Sequence, residues 1–179
     1  GFNHYTSRRV RRSRPGDSVP LDSSVPFFGD QELGYYLEGR EDWPVASNGW
    51  LMVIVYPEGI RKQLVWLKER YGDLKFFIAE SGYCTEEYNL NDPVRIQYYR
   101  DYLEQILLAM QQDNVKVIGY TAWTLMDNFE WVGDAYETKF GLYQVDFEDP
   151  ERARTPRSSA HFYKQVLATR TLPSTGSEL

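Results

Sequence analysis

The sequence is poor in the side chains from which covalent cross-links and metal sites are built. Cys84 is the single cysteine among 179 residues, so no disulfide can form within the chain. His4 and His161 are the only two histidines, and without a cluster of cysteine and histidine a structural zinc site is not expected. We therefore predict that the protein uses neither a metal ion nor another cofactor.

Long apolar runs and a positive net charge are also absent. No stretch approaches the roughly 20 apolar residues that cross a bilayer, so no membrane partner is expected. The net charge of −6 argues against nucleic acid as a partner. Residues 1–5 lack the charged start and apolar centre of a signal peptide, and no Asn-x-Ser/Thr sequon occurs. Secreted and cytoplasmic locations are both compatible with the sequence.

Aromatic side chains, by contrast, are abundant. The 14 tyrosines and five tryptophans suit a surface that holds a polyhydroxylated ligand, because each ring combines an apolar face with a polar tip. Most of these rings have an ordinary alternative role in core and rim packing.

The rest of the chain is arranged around one short apolar segment that ends in a carboxylate. Residues 76–79 are apolar and predict a buried strand, and Glu80, Ser81 and Gly82 follow at its end. In barrels of alternating strands and helices, catalytic groups lie at that end of the strands. The alternative reading of Glu80 is a helix N-cap or a loop carboxylate.

Strands and helices alternate along the chain. Residues 1–7 resemble the end of a strand, residues 8–30 form a long basic loop, and residues 42–50 a second irregular stretch. A helix then carries Ile60, Leu64, Leu67 and Tyr71 on one face and ends before Gly72.

A second helix is predicted to start at Asn91-Asp92-Pro93, with an apolar stripe of Tyr99, Leu103, Ile106 and Met110. Residues 115–123 predict another buried strand, and residues 140–147 a short strand. A last helix opens at Thr155-Pro156 and buries Phe162, Tyr163, Val166 and Leu167. This alternation predicts parallel strands joined by helical crossovers.

Three predicted strands end in polar or aromatic groups. They are Asn3 with Tyr5, then Glu80, then Trp123, and Glu130 with Trp131 follow in the next loop. If the strands are parallel, these groups converge on one cleft. Carboxylates accept hydrogen bonds from sugar hydroxyls, indole faces pack on pyranose rings, and most glycoside cleavage uses two carboxyl groups. An attacking Glu80 must stay ionised, which a donor such as Tyr5 would favour. For Glu130 the alternative is a surface loop acid.

Several long motifs stand out along the chain: residues 119–131 (GYTAWTLMDNFEW), 139–142 (KFGL) with Val145-Asp146, 155–160 (TPRSSA), and Trp50 with 56–59 (YPEG). Together these motifs resemble glycoside hydrolase family 1, the β-glucosidases and their relatives. The resemblance extends from Gly1 to about Leu167.

The resemblance implies the C-terminal portion of a (β/α)8 barrel, about its last three strands and helices, in one domain over residues 1–170 with a flexible tail at 171–179. It also implies a retaining double displacement on a β-linked glucoside or related glycoside, with Glu80 as nucleophile and Tyr5 as its hydrogen-bonding partner. Both neighbours of Glu80 differ from the family's Thr-Glu-Asn-Gly, since this chain has Ala79-Glu80-Ser81-Gly82. The implied substrate-binding residues are Asn3, Trp123, Glu130, Trp131 and Phe140.

The family's acid/base glutamate lies in an Asn-Glu-Pro motif, which this sequence lacks. By resemblance, the chain begins at the sixth barrel strand, and the acid/base residue lies in preceding sequence. The N-terminal part of the same barrel is thus an expected partner. We expect the chain alone to be inactive and not to fold stably, since a complete barrel needs about 250 residues.

Two other functions stay open at this stage. Klotho-like relatives in the family keep the barrel, lose a catalytic glutamate and act as receptor partners, so the chain could belong to a sugar- or protein-binding barrel. The retained Glu80 argues against this reading, whereas Ala79 and Ser81 leave it open. A purely structural role in a larger assembly has no positive support in the sequence.

Overall fold

A computed structural model describes residues 1–12, 33–35, 42–47, 52–85, 89–131 and 136–173. In these residues the strands are β1 (Phe2–Asn3), β2 (Val10–Arg12), β3 (Leu33–Tyr35), β4 (Val45–Ser47), β5 (Met52–Ile54), β6 (Lys75–Ser81), β7 (Lys116–Ala122), β8 (Tyr143–Val145) and β9 (Arg154–Pro156). The helices are α1 (Glu58–Tyr71), α2 (Pro93–Gln111) and α3 (Ser158–Thr169). No helix in the described part of the chain is both long and apolar enough to cross a membrane.

The central sheet is parallel, as the alternation of elements predicts. Its strand order is β1-β6-β7. Phe2 lies opposite Ile78 on one side of β6, and Phe76 lies opposite Val117 on the other. Helix α1 connects β1 to β6 and α2 connects β6 to β7, which is the crossover that parallel neighbours require. Strand β6 extends to Ser81, so Glu80 is the penultimate strand residue and not, as predicted, the first residue beyond it.

Helix α1 has the predicted position and a narrower buried face. Ile60 and Leu64 are fully buried, whereas Tyr71 is 58% exposed because the last turn extends past the core. Gly72 follows the helix with φ of 85°, a left-handed region that favours glycine. The predicted helix end is therefore confirmed.

Helix α2 buries most of the predicted stripe and a wider face around it. Tyr99 and Ile106 are buried as predicted, whereas Met110 is 39% exposed. The buried face also includes Tyr98 and Tyr102, which the apolar pattern passed over. Their hydroxyls can be buried because they have partners: Tyr98 bonds Ser81 Oγ, and Tyr102 accepts from the backbone N of Tyr56.

The C-terminal helix starts later than predicted. Thr155-Pro156 belongs to β9, because Thr155 pairs with Gln144 of β8 in an antiparallel hairpin, and α3 begins at Ser158. Phe162 is buried as expected, but Leu167 is 51% exposed.

Two antiparallel pairs interrupt stretches that the sequence predicted to be irregular. Strand β2 pairs with β3, and β4 pairs with β5. Strand β2 lies within the predicted loop 8–30 and β4 within 42–50. Residues 13–32, 36–41 and 48–51 lie outside the described part, as does most of the predicted tail, residues 174–179.

Candidate active site

The carboxyl ends of β1 and β6 bring together the two residues predicted to do the chemistry. Asn3 and Glu80 are cross-strand partners, and the backbone N of His4 donates to the backbone O of Glu80 at 2.9 Å. Tyr5 follows directly, and its hydroxyl donates to Glu80 Oε2 at 2.6 Å. Burial, with a further contribution from Glu80, raises the pKa of Tyr5 far above its usual value. Tyr5 therefore stays a neutral donor at any physiological pH.

A second carboxylate lies beyond the end of β7. Trp123 follows the strand, and its indole Nε1 donates to Glu130 Oε1 at 3.3 Å. Burial raises the pKa of Glu130, hydrogen bonds from Trp123 and Asn128 oppose that shift, and the charge of Glu80 adds to it. Both Glu80 and Glu130 also raise the pKa of Tyr5, so the three groups share one electrostatic environment.

The remaining predicted residues occupy different positions around this cleft. Asn3 is exposed at the end of β1. Phe140 is 2% exposed and meets the Tyr5 ring edge-on, with ring centroids 5.9 Å apart. Trp131 is 92% exposed. The structure thus places Phe140 against the catalytic tyrosine candidate and leaves the Trp131 side chain almost wholly exposed.

Strands β6 and β7 are joined by close backbone contacts just beyond Glu80. The backbone N of Trp123 donates to the O of Ser81 at 2.8 Å. A Cβ on Gly82 would lie 2.0 Å from the carbonyl O of Trp123, so only glycine fits there. The hydroxyl of Tyr99 donates to the same carbonyl at 3.3 Å. These contacts fix Trp123 relative to the strand that carries Glu80.

Sequence reasoning missed a contact that holds β1 to α1. His4 is 7% exposed, and its Nδ1 lies 2.7 Å from Gln63 Oε1. Burial lowers the pKa of His4, which keeps the ring neutral. With a neutral ring, Nδ1 carries the proton and donates to the amide oxygen of Gln63. No sequence signal marks this pair, since the two residues are 59 positions apart.

Two buried ion pairs hold the loop that carries Glu130. Asp127 binds Arg157 through two oxygens at 2.8 and 3.0 Å, with both side chains fully buried. Arg95 binds Asp92 at 2.6 Å. Both arginines also donate to the backbone O of Gly141, at 2.6 and 2.9 Å. The loop after β7 and the segment after Phe140 are therefore tied together beneath the cleft.

Among the described residues, no group of three or more His, Cys, Asp or Glu side chains is placed to hold a metal ion.

Parallel strands, helical crossovers and polar groups gathered at the carboxyl ends of the strands define this chain as part of a (β/α)8 barrel of the kind that carries active sites. The predicted fold class is confirmed by solved structures. The structure of aphid myrosinase matches with a TM-score of 0.76 and 39% identity, over 93% of this chain and 33% of that chain. A β-glucosidase from the fungus Humicola insolens, in complex with glucose, matches with a TM-score of 0.76 and 30% identity, over 93% of this chain and 35% of that chain.

The chain belongs to glycosyl hydrolase family 1, whose family model matches residues 1–172. It is similar to myrosinase 1 of Brevicoryne brassicae, with 40% identity over 169 residues, covering 94% of this chain and 34% of that protein. Human lactase/phlorizin hydrolase is 38% identical over 172 residues, which cover 96% of this chain and 8% of that protein. Mouse β-klotho is 43% identical over 115 residues, which cover 64% of this chain and 11% of that protein. The chain therefore spans about a third or less of the length of these relatives.

Proposed function

We propose that the protein hydrolyses β-glycosidic bonds by a retaining double displacement, as a β-glucosidase-like enzyme in which Glu80 is the nucleophile. The observation that carries this proposal is the 2.6 Å hydrogen bond from the Tyr5 hydroxyl to Glu80 Oε2 at the carboxyl end of a parallel sheet. The bond fixes the direction of the carboxylate, as attack on an anomeric carbon requires.

The roles of Tyr5 and Glu80 follow from their geometry. Tyr5 holds Oε2, which leaves Oε1 to attack the anomeric carbon and displace the aglycone oxygen. Because the phenol is neutral, it adds no negative charge beside the nucleophile. Water then cleaves the resulting glycosyl ester and releases Glu80 as a carboxylate.

A retaining reaction also needs a carboxyl group that protonates the leaving oxygen and later activates water. That group lies about 5–5.5 Å from the nucleophile in retaining enzymes. We propose that this carboxyl group belongs to the N-terminal part of the barrel, which would be a partner of this chain in addition to the substrate. A separation above about 6.5 Å from Glu80 in the assembled barrel would exclude the retaining route.

Trp123, Glu130 and their neighbours form the sugar-binding part of the proposed site. Trp123 supplies a flat indole beneath the ring, and the indole N–H orients Glu130 to accept from sugar hydroxyls. Trp131 donates its indole N–H to another hydroxyl. Asn3 contacts the sugar near Glu80, and Phe140 closes the apolar side of the cleft behind Tyr5.

The first test replaces the proposed nucleophile in the full-length protein. Glu80→Gln keeps the shape but cannot form the ester, so turnover of an aryl β-glucoside is expected to fall by at least about 10³-fold. Glu69→Gln, at an exposed position on α1, is the matched control and should retain activity. A 2-deoxy-2-fluoro glycoside should leave its glycosyl mass on the peptide that contains Glu80. Unchanged turnover in Glu80→Gln would remove that residue from the role.

The second candidate is a barrel that binds a sugar or protein without catalysis. The similarity to mouse β-klotho and the altered neighbours Ala79 and Ser81 favour it. It predicts no turnover by the wild-type protein, no covalent labelling of Glu80, and binding of a sugar that Glu130→Gln weakens. Labelling of Glu80 decides between the two candidates.

A further inference from the structure

The residue after Glu80 is held by a tyrosine from helix α2. Ser81 is fully buried, and its Oγ lies 3.1 Å from the hydroxyl oxygen of Tyr98. Tyr98 itself is 2% exposed. A buried pair of hydroxyls that bond each other keeps a defined geometry, because neither has water as an alternative partner.

The same tyrosine hydroxyl reaches the strand segment that carries Tyr5. Tyr98 Oη donates to the backbone O of Tyr5 at 3.4 Å. A phenol has one proton, so Ser81 must be the donor in its own bond with Tyr98. The result is a directional chain from Ser81 through Tyr98 to Tyr5, linking β6 to the segment after β1.

The ring of Tyr98 is fixed by its neighbours on α2. It stacks on Tyr102 with centroids 4.1 Å apart and planes at 24°, and meets Tyr99 nearly edge-on at 5.8 Å. Burial raises the pKa of Tyr98 well above its usual value, so the donor proton stays in place. A rigid ring with a retained proton can set the positions of the two strands that it bridges.

We propose that Tyr98 is a positioning residue, which through Ser81 and the backbone of Tyr5 holds the Tyr5 hydroxyl against Glu80. The inference rests on the proposed function of Glu80 as nucleophile. The backbone hydrogen bond from His4 to Glu80 already pairs the two strands one residue before Tyr5. Tyr98 adds a link between the backbone of Tyr5 and Ser81, the residue that follows Glu80.

The test removes each hydroxyl in the full-length protein. Tyr98→Phe and Ser81→Ala are each expected to lower kcat on an aryl β-glucoside about tenfold, with KM changed less than about twofold, since each variant breaks the chain of hydrogen bonds from Ser81 to Tyr5. Tyr163→Phe is the matched control. It removes a hydroxyl that bonds a backbone O of β7 at 3.4 Å in the same tyrosine cluster, and kcat should stay unchanged.

A double-mutant cycle separates positioning from general destabilisation. Because Tyr98 acts through Tyr5, adding Tyr98→Phe to Tyr5→Phe should lower kcat further by less than about twofold. A full tenfold effect in that background would overturn the proposal.

A crystal structure of the variant gives a readout that does not depend on activity. In Tyr98→Phe the distance from Tyr5 Oη to Glu80 Oε2 is expected to lengthen beyond hydrogen-bond range, and retention of 2.6 Å would overturn the proposal. Unchanged turnover in Glu80→Gln would overturn the proposed function, and this distance would still decide the role of Tyr98. If Tyr98→Phe does not fold, Ser81→Ala takes its place in both measurements.

Discussion

The surroundings of Glu130 change the acidity of its carboxyl group. Burial raises its pKa above the usual value near 4.5, so it takes up a proton at a higher pH than an exposed glutamate. Protonation neutralises the carboxylate and makes its oxygens weaker acceptors of hydrogen bonds from sugar hydroxyls. We predict that the Kd of a competitive sugar such as glucose rises as pH falls through this raised pKa. The measurement is ligand binding as a function of pH.

Replacement of the side chain provides the control. In Glu130→Gln the group is neutral throughout, so the dissociation constant should lose this dependence on pH and be higher at neutral pH. The increase should be about 10- to 100-fold, since a hydrogen bond to a charged group contributes about 1.5–3 kcal/mol. A variant that kept the wild-type pH profile would contradict the role of Glu130.

At the scale of single residues, the sequence predicted those contacts that follow from strand direction. Tyr5 and Glu80 were expected together because parallel strands end on one side of a sheet, and the structure brings them to 2.6 Å. The contact between Ser81 and Tyr98 could not be predicted. It depends on the burial of Tyr98, which the predicted apolar stripe of α2 did not include.

At the scale of elements, the buried ion pair between Asp127 and Arg157 anchors the loop after β7. Asp127→Asn would leave the fully buried guanidinium of Arg157 without its charged partner. We predict a loss of about 3–5 kcal/mol in the free energy of unfolding, the usual cost of breaking a buried pair from one side. Chemical denaturation of the full-length protein measures it.

A surface pair in the same molecule is the matched comparison. Arg61 on α1 binds Asp113 at 2.7 Å, with side chains 27% and 26% exposed. Asp113→Asn should change the free energy of unfolding by less than about 1 kcal/mol, because solvent already screens the pair. Equal losses in the two variants would show that burial does not set the cost.

Element positions were largely predictable, and the buried faces of the helices were predictable only in part. Proline and glycine mark the start of α2 and the end of α1, and both boundaries were confirmed. The pattern failed where polar atoms are buried with partners. Arg95 is completely buried in the core face of α2, because Asp92 and backbone oxygens satisfy its guanidinium. An apolar stripe cannot reveal such a residue.

At the scale of the whole molecule, the described sheet has two open edges. Strand β1 has two residues, and in the described part no strand pairs with the outer side of β1 or β7. Ile118 on β7 is 61% exposed and Phe77 on β6 is 40% exposed. We predict that the 179-residue chain expressed alone melts without a cooperative transition and binds a hydrophobic dye. Circular dichroism on heating, with the full-length protein as control, measures this.

A sharp thermal transition of the isolated chain would contradict that prediction.

The alternation of strands and helices was enough to predict the parallel sheet, because crossover connections leave few other topologies. The β2–β3 and β4–β5 pairs were not predictable, since their strands are three residues long and are flanked by glycine, proline and charged residues.

The close approach of Gly82 to the Trp123 carbonyl has a consequence for how this chain can change over generations. A Cβ at position 82 would have to displace the carbonyl of Trp123, the residue whose indole we propose supports the sugar. Evolutionary change at position 82 is therefore limited by the proposed sugar site as well as by folding, although residue 82 is not itself proposed to contact the ligand.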